Sequence, residues 1–473
     1  MSSRLIAPQP SRPMAPALAG QRAETLRSAI GQRAAEAGEP TVGRPGVTIG
    51  LAKADGRLLA SSIILIVAAA VCYNAALAFV NAHGVNIGPS SVVLTEVVIL
   101  VAACSMIIAS GRKSSDTLGF LLLAMFIIDA LLVSIASSIP YIVMARNGTI
   151  IALFFMLGCR VDEVTIKRCF LVCSILVLAV LLLDAFAVKA YVNEFMPSRY
   201  FELTRGVEPL DVDQLGLFRN ALGFSERFSI SHLSDHRTSS LFLEQVSLAN
   251  FSTILVIYLT AMWQRISGAQ KIFYFALIVS ILLTNNSRTG LILALLAPAA
   301  YWLAPRLNRF APLAVMPLVL VAAAIVAVGL PNTDDDTLAG RVGLTMRFLA
   351  NVDLPAALGR STSLAAQFAD SGYLFVIYSM SIMGLVLVWL FVSLVLVFPG
   401  AAQRRCGLMV NIYMFGNLLI GGSAVFTIKV ASLLWLLVGF LRQQALDLDG
   451  ISAAPLGGRP PSAVQRLAFG SRN

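Results

Sequence analysis

Nine consecutive residues, His236-Arg237-Thr238-Ser239-Ser240-Leu241-Phe242-Leu243-Glu244, put an imidazole, a guanidinium, three hydroxyls and a carboxylate at the start of an apolar run. The Arg237 guanidinium stays charged and offers a planar fork of donors that matches phosphate oxygens. Glu244 or His236 could take the proton of an attacking hydroxyl. A second fork, Arg288, sits in Asn285-Asn286-Ser287-Arg288-Thr289-Gly290, also at the start of an apolar run. His232 lies one helical turn before His236 and Asp235 adjoins it, but no third clear ligand completes a metal site. The histidines are therefore read as acid–base or hydrogen-bonding groups, with no metal and no cofactor expected. Together these types suit recognition of a lipid-linked diphosphate and activation of a hydroxyl.

The surrounding charge tempers that reading. The polar insert 189–240 holds six basic and seven acidic residues, and the insert 331–372 holds three basic and five acidic ones. Neither is a generic anion-attracting surface, and solvated or structural ion pairs are the plainer reading of most loop arginines. Arg205, Arg341 and Arg360 are candidates for binding sugar or phosphate. Arg237 and Arg288 stand at the expected headgroup level, where a cation can also snorkel to lipid phosphate. Arg146 falls inside an apolar segment, and an intramembrane charge is a functional hypothesis by default. The acidic candidates are Glu244 and Asp370, with Asp129, Asp184 and Glu96 inside apolar segments. Glu244 is either a base or the partner of a neighbouring arginine.

These residues need a membrane scaffold to position them. The chain is 58% hydrophobic and 13% charged, far from the balance of a soluble domain. Each crossing takes about 20 apolar residues, and about twelve segments qualify: 58–80, 91–110, 117–137, 142–158, 169–188, 241–263, 272–284, 289–304, 311–330, 373–398, 406–422 and 425–442. With the N-terminus inside, 23 of the 35 basic residues fall on the cytoplasmic side, 10 outside and two within spans. Short cytoplasmic loops collect positive charge, so both termini are expected in the cytoplasm and both polar inserts outside. Residues 1–57 read as a disordered basic cytoplasmic tail, 58–442 as the transmembrane domain with periplasmic loops 189–240 and 331–372, and 443–473 as a second disordered tail.

Several chemistries find no support. There is no phosphate-cradling Gly-rich loop with Lys, no paired CxxC, no His-Glu-x-x-His and no Gly-x-Ser-x-Gly. The six cysteines lie in or at the ends of apolar segments, so a disulfide framework is not expected.

The layout of many spans, two large outward loops with arginines and an Arg-x-x-Ser-Leu-Phe segment leading into a helix resembles the Wzy-type polysaccharide polymerases. These share an architecture with the O-antigen ligases, and the nearest likeness is to exopolysaccharide polymerases of the xanthan or sphingan kind. His236 to Glu244 and on to Asn250-Phe251 carries the resemblance, with Asn286-Ser287-Arg288-Thr289-Gly290 and Asp370-Ser371-Gly372-Tyr373. It covers roughly residues 58–442. An Arg-x10-Gly pattern can be read as Arg205 to Gly216, whereas Arg347 to Gly359 is one residue too long. The resemblance implies an all-α, GT-C-like glycosyltransferase of the bacterial inner membrane that needs no metal. Its implied substrate is an undecaprenyl-diphosphate-linked oligosaccharide. Implied partners are membrane lipids, a chain-length regulator and export machinery, and not nucleic acid. Arg237 and Arg288 would hold the donor diphosphate, and Glu244 or His236 would deprotonate the acceptor. Arg146, Arg205, Arg341, Arg360, His232, Asp370 and Tyr373 would bind substrate. An O-antigen ligase and a flippase of lipid-linked oligosaccharide are the alternatives.

Overall fold

A computed structural model describes residues 48–208, 216–218, 221, 236–329, 338–368, 371–420, 422–448 and 450. The chain divides into two units, Met1–Gly56 and Arg57–Asn473, and every contact discussed below lies within the second. Among the described residues all regular structure is helical. In chain order the helices are α1 (Thr48–Ala82), α2 (Pro89–Ala109), α3 (Asp116–Ser137), α4 (Val143–Gly158), α5 (Glu163–Phe186), α6 (Val188–Phe195), α7 (Pro197–Arg205) and α8 (Gln245–Met262). Then follow α9 (Gly268–Asn285), α10 (Arg288–Leu303), α11 (Pro312–Gly329), α12 (Leu338–Ala350), α13 (Leu354–Ala357), α14 (Gly372–Leu394), α15 (Ala401–Ile420) and α16 (Ile428–Leu448).

Local chemistry starts and stops these helices. Asp162 caps α5 by accepting the Thr165 N–H at 2.8 Å, and Ser267 with Gln270 forms a capping box on α9. Asn286, in the left-handed region at φ 56, ends α9, and the Ser287 hydroxyl then caps α10. Proline at the first position of α2, where no intrahelical N–H is needed, starts that helix.

Among the described residues eight helices are long and apolar enough to cross a membrane: α1 from Gly56, α2, α3, α5, α8, α9, α11 and α14. The outer helices α2, α3 and α11 leave Val93, Leu94, Val98, Ile128, Leu132, Ile135, Val321 and Ile325 exposed. Such a continuous apolar exterior needs lipid to cover it. The chain is a multi-pass α-helical membrane protein.

The four other predicted spans also fall on helices, with different characters. α4 and α10 have 16 residues each. The apolar run 406–442 is two helices, α15 and α16, separated by a 3-10 turn at Gly422–Phe426. Both carry polar residues inward, including Asn411, Asn417, Lys429 and Ser432, and this lowers their hydropathy although they lie deep in the bundle. A helix covered on all sides marks the centre of a bundle, and α4, α8 and α16 are of this kind.

The most extensive pairing is α4 with α16. Glycines permit it: a Cβ on Gly158 would overlap the Leu436 carbonyl, and one on Gly439 would overlap the Phe155 carbonyl. Small residues let helix backbones touch where apolar burial gives no preference for one helix over lipid.

The expected polar inserts contain more structure than loops. The first holds most of α6 and all of α7, and the second holds α12, α13 and a 3-10 turn at Thr362–Phe368. The span expected to begin at Leu241 begins at Gln245 instead, because a preceding 3-10 turn, Ser240–Phe242, is held by bonds from elsewhere.

Candidate functional site

The His236–Glu244 segment is anchored at its front by Asp184, near the end of α5. Asp184 Oδ2 accepts the backbone N–H groups of Ser239 (2.7 Å) and Ser240 (2.9 Å), and Oδ1 meets His236 Nε2 at 2.8 Å. The Ser240 hydroxyl donates to the Val177 carbonyl at 2.8 Å, and the Tyr191 hydroxyl donates to the Ser240 carbonyl at 2.9 Å. Ser240 (φ 50) and Leu243 (φ 58) occupy the left-handed region, unusual for residues with side chains. This density of bonds is what sustains it.

On its other side the segment docks onto the end of α9. Thr238 N–H donates to the Thr284 carbonyl at 3.2 Å, and their hydroxyls meet at 2.8 Å. Arg237 Nε donates to the Asn285 carbonyl at 2.9 Å, and Asn285 Nδ2 donates to the carbonyls of Thr238 (2.6 Å) and Gln245 (2.9 Å). The two motifs singled out in the sequence, one ending in Glu244 and one containing Arg288, are thus brought together. Arg288 opens α10 three residues beyond Asn285 and is half-buried.

The rear of the segment reaches a cluster of charges. Glu244 Oε2 accepts from Lys429 Nζ at 2.7 Å and from the Ser247 hydroxyl at 2.9 Å, while Oε1 accepts from Arg205 Nη1 at 3.1 Å. Beside it, Arg146 Nε donates to Glu96 Oε2 at 2.8 Å with a second contact through Nη2, and the Tyr73 hydroxyl donates to Glu96 Oε1 at 2.8 Å. The two groups are electrostatically continuous: Lys429 feels Glu96 as well as Glu244, and Tyr200 feels both Arg205 and Glu96. Five helices supply the cations and carboxylates: α2, α4, α7 and α16, with Glu244 capping α8.

Among the described residues three cations, Arg146, Arg205 and Lys429, face two carboxylates, which leaves one positive charge in excess. The Arg146 and Arg205 side chains are each 41% exposed, whereas those of Lys429 and Glu96 are 1% and 5% exposed. The buried charges form the floor of the cluster and the arginines form its rim. Burial alone would raise the Glu244 carboxyl, but Lys429 and then Arg205 outweigh it and hold Glu244 well below the usual carboxylate range. In this state Glu244 is a fixed anion and a poor base.

Other predicted residues lie elsewhere. Arg341, on α12, donates to the Ile420 carbonyl at 3.3 Å where α15 ends, nine residues before Lys429. Tyr373 is fully buried at the start of α14, and its hydroxyl has no hydrogen-bond partner among the described residues. Arg360 is exposed beyond α13. His232 and Asp370, with Arg219 and Arg227, lie outside the described residues. Lys429 is the member that sequence reasoning missed as a site residue. Its signal was a lysine inside an apolar run, the same signal that drew notice to Arg146.

Among the described residues no group of three or more His, Cys, Asp or Glu side chains comes together to hold a metal ion. No protein-family model, curated protein or solved structure matches the chain.

Proposed function

We propose that the protein is a membrane glycosyltransferase of the Wzy type, which polymerises undecaprenyl-diphosphate-linked repeat units on the periplasmic face of the bacterial inner membrane. The observation that carries this reading is the charge-unbalanced cluster at one end of an apolar bundle, with two arginines exposed at its rim. A lipid-linked diphosphate offers the matching features: an anion at headgroup depth and an apolar tail alongside the helices. In this reading the chain crosses the membrane about twelve times in a GT-C-like arrangement, with both termini cytoplasmic. The basic-residue distribution supports that orientation.

The reaction joins an acceptor hydroxyl oxygen to the anomeric carbon of the donor as the carbon–oxygen bond to diphosphate breaks. The electron pair leaves with the diphosphate, and the hydroxyl proton needs a base. Arg205, Arg146 and Lys429 stabilise the charge growing on the leaving group, a kind of assistance worth about 3–4 kcal/mol per donor. Arriving diphosphate competes with Glu244 for Arg205 and Lys429. Glu244, loosened from its partners, becomes a stronger base at the moment the donor is in place. Arg237 and His236 position this machinery through Asn285 and Asp184, and Arg288, at the start of α10, adds a cation at the helix N-terminus.

Reconstitution in vesicles with a defined undecaprenyl-diphosphate repeat unit tests the reading. Longer lipid-linked chains and free undecaprenyl diphosphate are expected. Passage of unlengthened substrate across the bilayer would replace polymerase with flippase, and a single transfer onto a different lipid acceptor would replace it with ligase.

A further inference from the structure

Asp129 stands inside α3, about 20 Å from its first residue at 1.5 Å rise per residue. It is 5% exposed, and its Oδ2 has no hydrogen-bond partner among the described residues. A carboxylate at such a depth in a membrane bundle is expensive and calls for a partner. No cation faces it among the described residues. Asp116 of the same helix is engaged with Arg160, Arg146 of the adjoining α4 is engaged with Glu96, and α14 carries no charged residue.

What packs against Asp129 is a break in a helix. α3 lies against α14, and within α14 the backbone of Ser381 leaves the helical region at φ 69, ψ 171. The Ser381 hydroxyl stands beside the Asp129 carboxyl. Gly384 completes the approach, since a Cβ added there would lie 3.2 Å from Asp129 Oδ2. A break of this kind interrupts the ladder, and carbonyls of the preceding turn lose their i+4 donors. Non-helical backbone at membrane depth is tolerated where it is buried in protein or lines a cavity. Unwound backbone carbonyls of interrupted helices are also how membrane transporters coordinate small cations.

We propose that Asp129 and the Ser381 break form a binding site for a small monovalent cation within the bundle. One carboxylate supplies one negative charge, so a monovalent ion neutralises the site, whereas a divalent ion would bury an uncompensated charge. The donors are a carboxylate, a hydroxyl and backbone carbonyls, all hard oxygens. Polar contacts also bridge α3 and α14 through Tyr141: its hydroxyl lies 3.0 Å from that of Ser379, and its N–H donates to Ser134 Oγ at 2.9 Å. An ion held between α3 and α14 would fix the two halves of the broken helix.

Thermal unfolding of the full-length protein in detergent, in sodium chloride against N-methylglucamine chloride at equal ionic strength, tests this with sodium as the probe. A saturable rise in Tm with sodium is expected, Asp129→Asn should abolish the rise, and Ser381→Ala should raise the half-saturating concentration severalfold. Identical unfolding in both salts would overturn the proposal and leave Asp129 a structural residue. A sodium response that survives unchanged in Asp129→Asn would overturn it equally. Should Asp129→Asn fail to fold, the wild-type titration and Ser381→Ala still decide.

Discussion

Two charged regions at opposite ends of the bundle solve the cost of buried charge differently. At the α2–α3 turn, Arg160 forms a bidentate pair with Asp116, Nη1 to Oδ1 at 2.6 Å and Nη2 to Oδ2 at 2.8 Å. Its remaining donors reach the Ser110 hydroxyl (2.5 Å) and the carbonyls of Met156 (2.9 Å) and Gly111 (2.8 Å), and Asp116 Oδ2 also accepts the Lys113 N–H at 2.7 Å. The two side chains are 1% and 2% exposed, and the charges cancel. The cluster around Glu244 is open, has one cation in excess among the described residues and exposes two guanidinium groups. A closed, neutral pair with every donor used can only hold structure together. An open, unbalanced one has capacity for an anion that is not part of the chain.

Breaking the closed pair should have the largest effect on stability. Arg160→Met strands the Asp116 carboxylate in a dry site, and losing one partner of a buried pair costs about 3–5 kcal/mol. A collapse of Tm in detergent is expected, with much of the loss recovered in Arg160→Met combined with Asp116→Asn. No recovery in the double variant would show that Arg160 acts through its carbonyl contacts more than through the ion pair.

Both regions hang on α4, which carries Arg146 near its start and ends two residues before Arg160. Gly439→Ala therefore disturbs them together, because the new methyl must push α16, which bears Lys429, away from α4. Overpacking of this kind costs about 1–3 kcal/mol. Transfer activity should fall in the same variant. A fully active, equally stable protein would mean that the helices slide apart without consequence for the cluster.

How much of this was legible in the sequence depends on which physics was local. Each apolar segment became a helix, since period, length and composition are properties of a single stretch of chain. The His236–Glu244 and Asn285–Gly290 motifs were visible for the same reason. The pairings were not: Glu244 meets Lys429 across 185 residues and Glu96 meets Arg146 across 50. The alternative reading of Glu244, as the partner of a neighbouring arginine, is realised through Arg205, 39 residues earlier. Arg160 looks like an ordinary loop cation and proves to be locked beneath a turn. The early helical start assigned to Leu241 misses the pull of Asp184 on Ser239 and Ser240, a tertiary effect that local pattern cannot carry.

Acid should separate the regions further. Glu244 has a folded-state pKa held below its unfolded value of about 4.3. Its contribution is therefore present above that value and is lost as pH falls through the folded pKa. Stability is expected to stay level from neutrality to about pH 5 on account of this group, then to decline on further acidification. In Glu244→Gln the acid limb should be shallower. An unchanged acid limb would mean that Lys429 and Arg205 do not hold the carboxylate as the geometry indicates.

Arg205→Met should have the smallest effect on stability and the most informative one on function. The guanidinium is 41% exposed, and ion pairs in contact with solvent contribute at most about 1 kcal/mol. Glu244 keeps Lys429 and Ser247, so the fold should survive with a Tm near wild type. The rim of the cluster nevertheless loses its cation excess, and with it the planar fork presented to diphosphate. Transfer should drop by two orders of magnitude or so if one donor to the leaving group is lost, and Arg205→Lys should recover only part because a point charge cannot reproduce two parallel donors. A stable Arg205→Met protein with full activity would remove the distinction drawn between the two regions, since the open cluster would then be as purely structural as the closed pair.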